Sequence, residues 1–199
     1  MHLSRKLTLA PFLQRLRHTE RKSFDALVRT LRTIIPSVQS VTVDLDEKRG
    51  TLDVQIIQNG ITYSSRIISE GTLRVLALVA IAVNPWPGTL IAFEEPENGV
   101  HPRRLDLIAR LLASMAIDQG RQVVVTTHSP ILCQCILDIQ RENPDDIALI
   151  VVRSERGRTR CTRFEAGPLL NDDEIREALT SRQEDGWFEG LVMRGLAGG

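Results

Sequence analysis

Two adjacent carboxylates follow an apolar run near the middle of the chain. Residues 89–93 have the composition of a buried strand, and Glu94 and Glu95 stand at its end, before the Pro-Glu-Asn-Gly of residues 96–99. Ligands of open α/β sheets bind at the carboxyl ends of the strands, so these carboxylates are placed to hold a metal ion and to activate water. Since neighbouring strand residues point to opposite faces, the two groups can have separate roles. An acidic surface loop is the alternative interpretation.

A second candidate site is the Ser-Glu-Gly-Thr of residues 69–72, which precedes an apolar segment. We predict that this segment is a helix buried on most faces and stopped by Pro85. The first turn of a helix has free backbone N–H groups and the positive end of the helix dipole, which together attract anions. Gly71 allows a close approach to the backbone. A simple N-cap on a core helix explains the same four residues equally well.

A third candidate is His128, which follows the strand-like Val-Val-Val-Thr-Thr of residues 123–127. The imidazole therefore stands at the carboxyl end of a strand that we expect beside the first one. A histidine alone in such a place is often a hydrogen-bonded core group. Beside the other two motifs it becomes a candidate sensor of a terminal phosphate. His101 lies near the carboxylates in sequence, and we expect it to be structural.

The elements that position these groups begin with an amphipathic helix over residues 20–35 and an antiparallel meander, in which Asn59-Gly60 predicts a hairpin turn. Strands and helices then alternate. The predicted elements are strands at 41–45, 52–56, 61–63, 89–93, 123–127 and 147–152, helices from Ser69, Pro102 and Ser129, and a late hairpin partner at 158–164. This alternation predicts an α/β fold with a largely parallel sheet covered on both faces.

The composition is that of a globular protein of 199 residues with a formal net charge of +0. This balance gives no indication of a nucleic-acid-coating or membrane-surface protein. No run approaches the ~20 apolar residues of a membrane span, and three cysteines suggest neither a disulfide framework nor a zinc site, so we predict a cytoplasmic location. Two arginine-rich clusters, at 15–22 and 153–163, are expected to be solvated faces.

In this order, the three motifs resemble the second half of the nucleotide-binding domain of ABC-type ATPases of the SMC, RecF and OLD branch. The resemblance covers roughly residues 24–152, and the strings at 69–74 and 94–102 are similar to those of bacterial predicted AAA-type ATPases. It implies a P-loop NTPase-type α/β fold in which the chain is one partial domain over 1–199. The predicted parts are a helix with antiparallel strands (1–68), a core with the three motifs (69–152) and a C-terminal hairpin and tail (153–199).

The resemblance also implies ATP and Mg²⁺ as cofactors and catalytic roles for three residues. Glu94 would be the Walker B carboxylate that acts on Mg²⁺, Glu95 the general base for water, and His128 the switch histidine. Glu94 stands where many relatives have Asp, so its longer side chain would reach the metal through water. Glu70 replaces the Gly of transporter-type signatures and adds a negative charge near the phosphates unless it turns away.

Five further residues would contact nucleotide or cross the interface in an assembled dimer, by the same resemblance. Ser69, Gly71 and Thr72 belong to the signature, which touches the γ-phosphate held by a partner subunit. Asn98 and Gly99 fall in the D-loop, which crosses the dimer interface.

The chain contains no Gly-x-x-x-x-Gly-Lys-Ser/Thr loop. Without this Walker A loop the phosphates have no cradle, so we expect the isolated chain to be inactive. In the family the loop precedes the region with which this chain begins. The sequence therefore predicts a C-terminal portion or a split-gene product, acting as a homodimer or with a partner that carries the Walker A half. DNA and an effector protein are further implied partners, in DNA repair or anti-phage defence.

Two alternatives stay open. The chain could be a non-hydrolytic interaction subunit that pairs with a complete ATPase through the same surface. It could also be a metal-dependent nuclease with Glu94, Glu95, Glu97 and His128 as ligands. These side-chain types suit a divalent metal, but the nuclease hypothesis leaves the helix-opening motif unexplained.

Overall fold

The computed structural model describes residues 5–46, 50–86 and 88–164. The chain divides into two compact units, residues 1–127 and residues 128–199. The prediction that 1–199 forms one domain stays a prediction, and the predicted tail at 165–199 lies outside the described residues. Among the helices that are described, none has the length and apolar content that crossing a bilayer requires.

The first unit begins with two helices packed on an antiparallel meander. Helices α1 (Arg5–Thr19) and α2 (Arg21–Ile34) contact each other and the strands β1 (Val38–Asp46) and β2 (Thr51–Gln58), and β3 (Ile61–Ser64) completes the three-stranded sheet. Helix α2 buries Phe24, Leu27, Leu31 and Ile34, the helical spacing from which it was predicted. The Asn59-Gly60 turn has φ angles of 50° and 78°, as the primed hairpin turns require.

Helix α1 was not predicted from the sequence. It buries Ala10, Leu13 and Leu16, which stand three residues apart. Pro11 lies inside the helix, where it removes a backbone donor and normally argues against helical structure. Tertiary packing on the meander therefore outweighs the local preference of this segment.

The first unit continues with the elements that carry the candidate site. Helix α3 (Glu70–Ala82) is followed by β4 (Leu90–Glu94), a 3-10 turn (Pro102–Arg104), α4 (Leu105–Ile117) and β5 (Gln122–Thr126). Strands β4 and β5 pair in parallel, with Leu90 opposite Gln122 and Glu94 opposite Thr126. Both strands therefore end at the same edge of the sheet, as predicted. Parallel pairing among the described strands is confined to these two, so the parallel sheet is narrower than the alternation predicts.

One face of the β4–β5 pair is exposed. Residues alternate between half-buried and exposed along both strands. We call the exposed side the open face, and its residues are Leu90, Ala92 and Glu94 of β4 and Gln122, Val124 and Thr126 of β5. Leu90 is 60% exposed and Val124 is 49% exposed. Since parallel sheets are normally covered on both faces, the exposure of this face within the described part of the chain departs from the sequence-based expectation.

The second unit contains α5 (Pro130–Glu142) and an antiparallel hairpin of β6 (Ile150–Glu155) and β7 (Arg158–Arg163). The predicted cap of α5 is confirmed, because Ser129 Oγ accepts a hydrogen bond of 3.2 Å from the backbone N–H of Leu132, with Pro130 in the first turn. Strand β6 begins three residues later than predicted.

Candidate functional site

The two carboxylates after β4 differ in backbone conformation. Glu94 is the last strand residue, and its exposed side chain lies on the open face. Glu95 lies outside the strand with a φ of 47°, although its N–H still donates to the carbonyl of Thr126 at 2.8 Å. The sequence argument assumed that both residues belong to the strand and alternate in direction, and this is wrong. Only Glu94 is in the strand, and the change of direction at Glu95 comes from its left-handed backbone. Such a conformation costs a non-glycine residue about 1–3 kcal/mol and is common at functional sites.

Two neighbouring side chains hold Glu95 in place. The side-chain amide of Asn98 donates to Glu95 Oε2, and the backbone N–H of Asn98 donates to the Glu95 carbonyl at 3.1 Å. Arg74, on α3, donates to the same carbonyl at 2.9 Å and to that of Glu94 at 3.4 Å. The carboxylate is thus oriented by Asn98, while its backbone is tied to the first turns of α3.

Sequence reasoning missed the role of Arg74. Its guanidinium also pairs with Glu70 at 3.2 Å, and the Arg74 side chain is only 21% exposed. The i, i+4 spacing of Glu70 and Arg74 was the available signal for this pair. Glu70 therefore turns toward Arg74, which offsets the negative charge that Glu70 brings to the helix N-terminus.

A close backbone approach occurs at Gly71, and the neighbour is the backbone of Gly99, whereas the approach of an anion to Gly71 stays a prediction. A Cβ atom on Gly71 would lie 1.8 Å from the carbonyl oxygen of Gly99, a distance that real Cβ atoms essentially never show. Gly71 is buried, and Gly99 has a φ of 74°, which favours glycine. The start of α3 is thus in backbone contact with the 96–99 loop that follows the carboxylates.

Ser69 and Thr72 form the N-cap of α3. Ser69 Oγ accepts from the backbone N–H of Thr72 at 3.2 Å, and the two hydroxyl groups are hydrogen-bonded at 2.9 Å. The N-cap interpretation of these residues is therefore confirmed, whereas their contact with a phosphate stays a prediction. The cap uses only one of the N–H groups in the first turn.

The remaining polar residues near the sheet edge have structural contacts. The Thr127 hydroxyl donates to Glu97 Oε1, which joins the loop after β4 to the end of β5. His101 Nδ1 accepts from the backbone N–H of Arg103 at 3.2 Å, so it caps the 3-10 turn, as its predicted structural role requires. His128 is exposed and is the first residue of the second unit, and its role as a switch stays a prediction.

Glu94 is the side chain at the carboxyl end of β4 that suits a divalent metal ion as a ligand. Within the described residues, no group of three or more His, Cys, Asp or Glu side chains converges to hold a metal ion. Mg²⁺ typically binds one or two carboxylates and takes its other ligands from water and substrate phosphates. Glu94, exposed on the open face, fits such a single ligand. Glu95 is engaged with Asn98 and fits the role of a base better.

The first comparison with known proteins is at the level of sequence. Residues 11–134 match the model of a family described as AAA domain, putative AbiEii toxin, Type IV TA system. The chain is also 29% identical over 124 residues to the Retron Ec83 probable ATPase of Escherichia coli. That match covers 54% of this chain and 22% of the E. coli protein, so it spans less than a quarter of the relative's length.

Solved structures with the same fold include SMC ATPases and Smc head domains. One, from work on ATP-driven dimerization and DNA-stimulated activation of SMC ATPases, aligns with 82% of this chain and 96% of its own at a TM-score of 0.52 and 16% identity. The Smc head domain of Pyrococcus yayanosii, with a coiled coil and joint, aligns with 81% of this chain and 30% of its own length, at a TM-score of 0.59 and 16% sequence identity. At these identities the likeness confirms the fold, an α/β partial domain of the P-loop NTPase type.

Proposed function

The protein belongs to the AAA domain family described as putative AbiEii toxin of a type IV TA system, and we propose that it contributes one part of a composite site that binds and hydrolyses ATP with Mg²⁺. In this site α3 meets the phosphates, Glu94 holds the metal ion and Glu95 activates water. The loop that cradles the phosphates comes from outside these 199 residues, on a longer form of the chain or on a second polypeptide.

The observation that carries this proposal is the contact of α3 with the segment that follows β4 at the sheet edge. Gly71 contacts Gly99 through the backbone, and Arg74 bonds to the carbonyl of Glu95. A plain core helix with a plain acidic loop does not require this approach. A site in which a helix N-terminus, a general base and a loop must act on one bound nucleotide does require it.

The chemistry of the proposed site follows from the two carboxylates. Bound Mg²⁺ supplies charge stabilisation for the phosphates, and Glu94 is the residue of this chain that would hold it. Glu95 would accept a proton from the attacking water with one carboxylate oxygen, while Asn98 fixes the orientation of the other. Ser69, with Gly71 and Thr72, would offer the N–H groups of the first turn of α3 to the phosphates.

The open face supports a partner that carries the Walker A half. Its apolar centre, Leu90, Ala92 and Val124, is the kind of surface that a further α/β layer buries, and it leads directly to Glu94. A layer docked here would bring its phosphate loop beside the metal ligand. We propose that the assembly is a dimer, in which Asn98 and Gly99 lie at the interface.

The cellular role that we propose is DNA repair or anti-phage defence in the cytoplasm, with DNA and an effector protein as further partners. The defence role rests on the family description as a toxin of a type IV TA system and on the likeness to an ATPase of an E. coli retron. His128 would sense the terminal phosphate in the same assembly.

The test is phosphate release by the purified chain, alone and with a Walker A complement. We expect no ATP turnover by the chain alone and turnover in the reconstituted pair. Glu95→Gln should remove hydrolysis and leave ATP binding intact, because the amide keeps the shape of the side chain and loses the base. Glu142→Gln, an exposed change of the same type on α5, serves as the matched control. Unchanged turnover by the Glu95→Gln pair would refute the proposal.

A second candidate function uses the same open face without hydrolysis. An interaction subunit would dock its uncovered apolar strands on a complete ATPase, and its carboxylates would have no catalytic task. The two functions separate in the same experiment. If Glu95→Gln and wild type support equal turnover in the pair, while substitution of Val124 on the open face prevents pairing, the interaction subunit is the correct description.

A further inference from the structure

The tip of the β6–β7 hairpin is strongly basic. Residues 153–163 contain five arginines and one glutamate, a net formal charge of +4, in a chain whose total is +0. The rest of the sequence therefore carries a net charge of −4. Every residue of β7 is exposed. A polyanion would be drawn to this hairpin and repelled by the average charge of the remaining chain.

The fold of the hairpin brings three arginines together at one end, and we call Arg156, Arg158 and Arg160 the basic tip. Arg156 is in the two-residue turn, where it has a φ of 50° next to Gly157 at 76°. Arg158 and Arg160 stand two residues apart on β7, so their side chains leave the same face of the ribbon. Their rise of about 6.8 Å is close to that of two nucleotides along a DNA strand.

Cross-strand pairing at the basic tip favours an external anion. Arg160 lies opposite Arg153 in the register, and like charges in that position destabilise a hairpin. Glu155 accepts an ion pair from Arg160 at 3.4 Å, with the two side chains 51% and 68% exposed. An ion pair this exposed is weak and readily exchanged. A phosphate group near these guanidinium groups would add a second negative charge beside that of Glu155.

The chemistry of the tip selects nucleic acid among polyanions. All of its cations are arginines, whose planar fork binds phosphate with two parallel hydrogen bonds. Residues 153–160 contain no apolar side chain that could enter a membrane surface, which an interfacial anchor requires. A ribbon of two strands about 4.8 Å apart fits the DNA major groove, which is about 12 Å wide.

We infer that the β6–β7 hairpin is a nucleic-acid-binding ribbon, in which Arg156, Arg158 and Arg160 contact the phosphate backbone of duplex DNA. Such contacts carry no base sequence information, so binding is independent of sequence. The inference rests on the part of the proposed function that names DNA as a partner, and it assigns the residues that would contact it. ATP hydrolysis does not depend on this hairpin, so a failure to bind DNA would leave the proposed ATPase site untouched.

The experiment measures the fluorescence anisotropy of a labelled duplex of mixed sequence, about 20 base pairs long, against the whole chain in rising salt. Three phosphate contacts predict a slope of log K against log salt of about −2.7, an affinity loss of about 40-fold between 50 and 200 mM. Arg158→Gln with Arg160→Gln removes two contacts. The slope should fall to about −0.9, and binding should be about 200-fold weaker at 50 mM if the affinities converge near 1 M.

Two control variants separate hairpin contacts from charge in general. Arg17→Gln with Arg32→Gln removes the same charge from exposed positions on α1 and α2 and should bind like wild type. Arg158→Lys with Arg160→Lys keeps the charge and should keep the slope. Thermal unfolding of each variant checks that the fold is retained.

Four results would each overturn the inference. They are no binding by wild type, an unchanged slope in the double Gln variant, an equal loss in the α1–α2 control, and competition by anionic vesicles or polyglutamate as strong as that of DNA at equal charge. The last result would assign the basic tip to a membrane or to an acidic protein.

Discussion

Replacing Gly71 by alanine tests the contact that joins α3 to the loop after the carboxylates. The added Cβ would lie 1.8 Å from the carbonyl oxygen of Gly99, against the 3.0 Å below which such contacts essentially do not occur. The two backbones must therefore separate by about 1.2 Å, the difference between these distances. Both partners are backbone, so no flexible side chain can yield.

The cost follows from the rigidity of this contact. Overpacking typically costs about 1–3 kcal/mol, and the upper end applies where backbone meets backbone. The better helix propensity of alanine returns at most about 1 kcal/mol. A net loss of about 2 kcal/mol should lower the melting midpoint by roughly 8 °C in a unit of this size.

The assay is thermal and denaturant unfolding of the chain without nucleotide, with Gly88→Ala as the matched control. A Cβ on Gly88 would have no heavy atom within 4 Å, and Gly88 has no positive φ, so its replacement should be neutral or slightly stabilising. Equal unfolding of the two variants would refute the reasoning. If Gly71→Ala left stability unchanged but blocked ATP-dependent association, Gly71 would instead face a phosphate, as the family resemblance implies.

The remaining predictions concern single side chains of the first unit. Ser69→Ala should cost about 1 kcal/mol in denaturant unfolding, because the α3 cap loses its acceptor; no change would mean that the cap is dispensable. Arg74→Gln should cost about 1.5–3 kcal/mol, since it removes a charged donor from the carbonyl of Glu95. Arg110→Gln, which breaks an exposed pair with Asp106, should stay within about 0.5 kcal/mol and is the control. Val124→Thr on the open face should leave the isolated chain unaffected and weaken sedimentation of the complex with a Walker A complement; undiminished complex formation would contradict the assigned docking face.

Local patterns predicted several elements of the fold well. Pro130 with Ser129 defined the start of α5, and the alternation of apolar residues with the Asn59-Gly60 turn defined the meander. Each of these features depends on neighbours a few residues away, so a single sequence contains the information.

Long-range packing was beyond such patterns. The approach of Gly71 to Gly99 joins residues 28 positions apart. The left-handed residue Glu95 accepts a hydrogen bond at its carbonyl from Arg74 of α3, which is 21 positions earlier. The apolar run 147–152 indicated a strand but not its register. The turn at 156–157 pairs Glu155 with Arg158, and the register then moves the strand to 150–155.

The two touching glycines also constrain how this protein can diverge. A substitution that adds a side chain at position 71 requires a change in the backbone of the loop at position 99. Without that change, the loop would shift and the hydrogen bonds between Asn98 and Glu95 would be lost. Positions 71 and 99 should therefore change together among descendants of this sequence, although neither residue has a side chain through which the other could be selected. Selection at these two positions therefore acts on the absence of a side chain, because the close contact of the two backbones leaves no room for one.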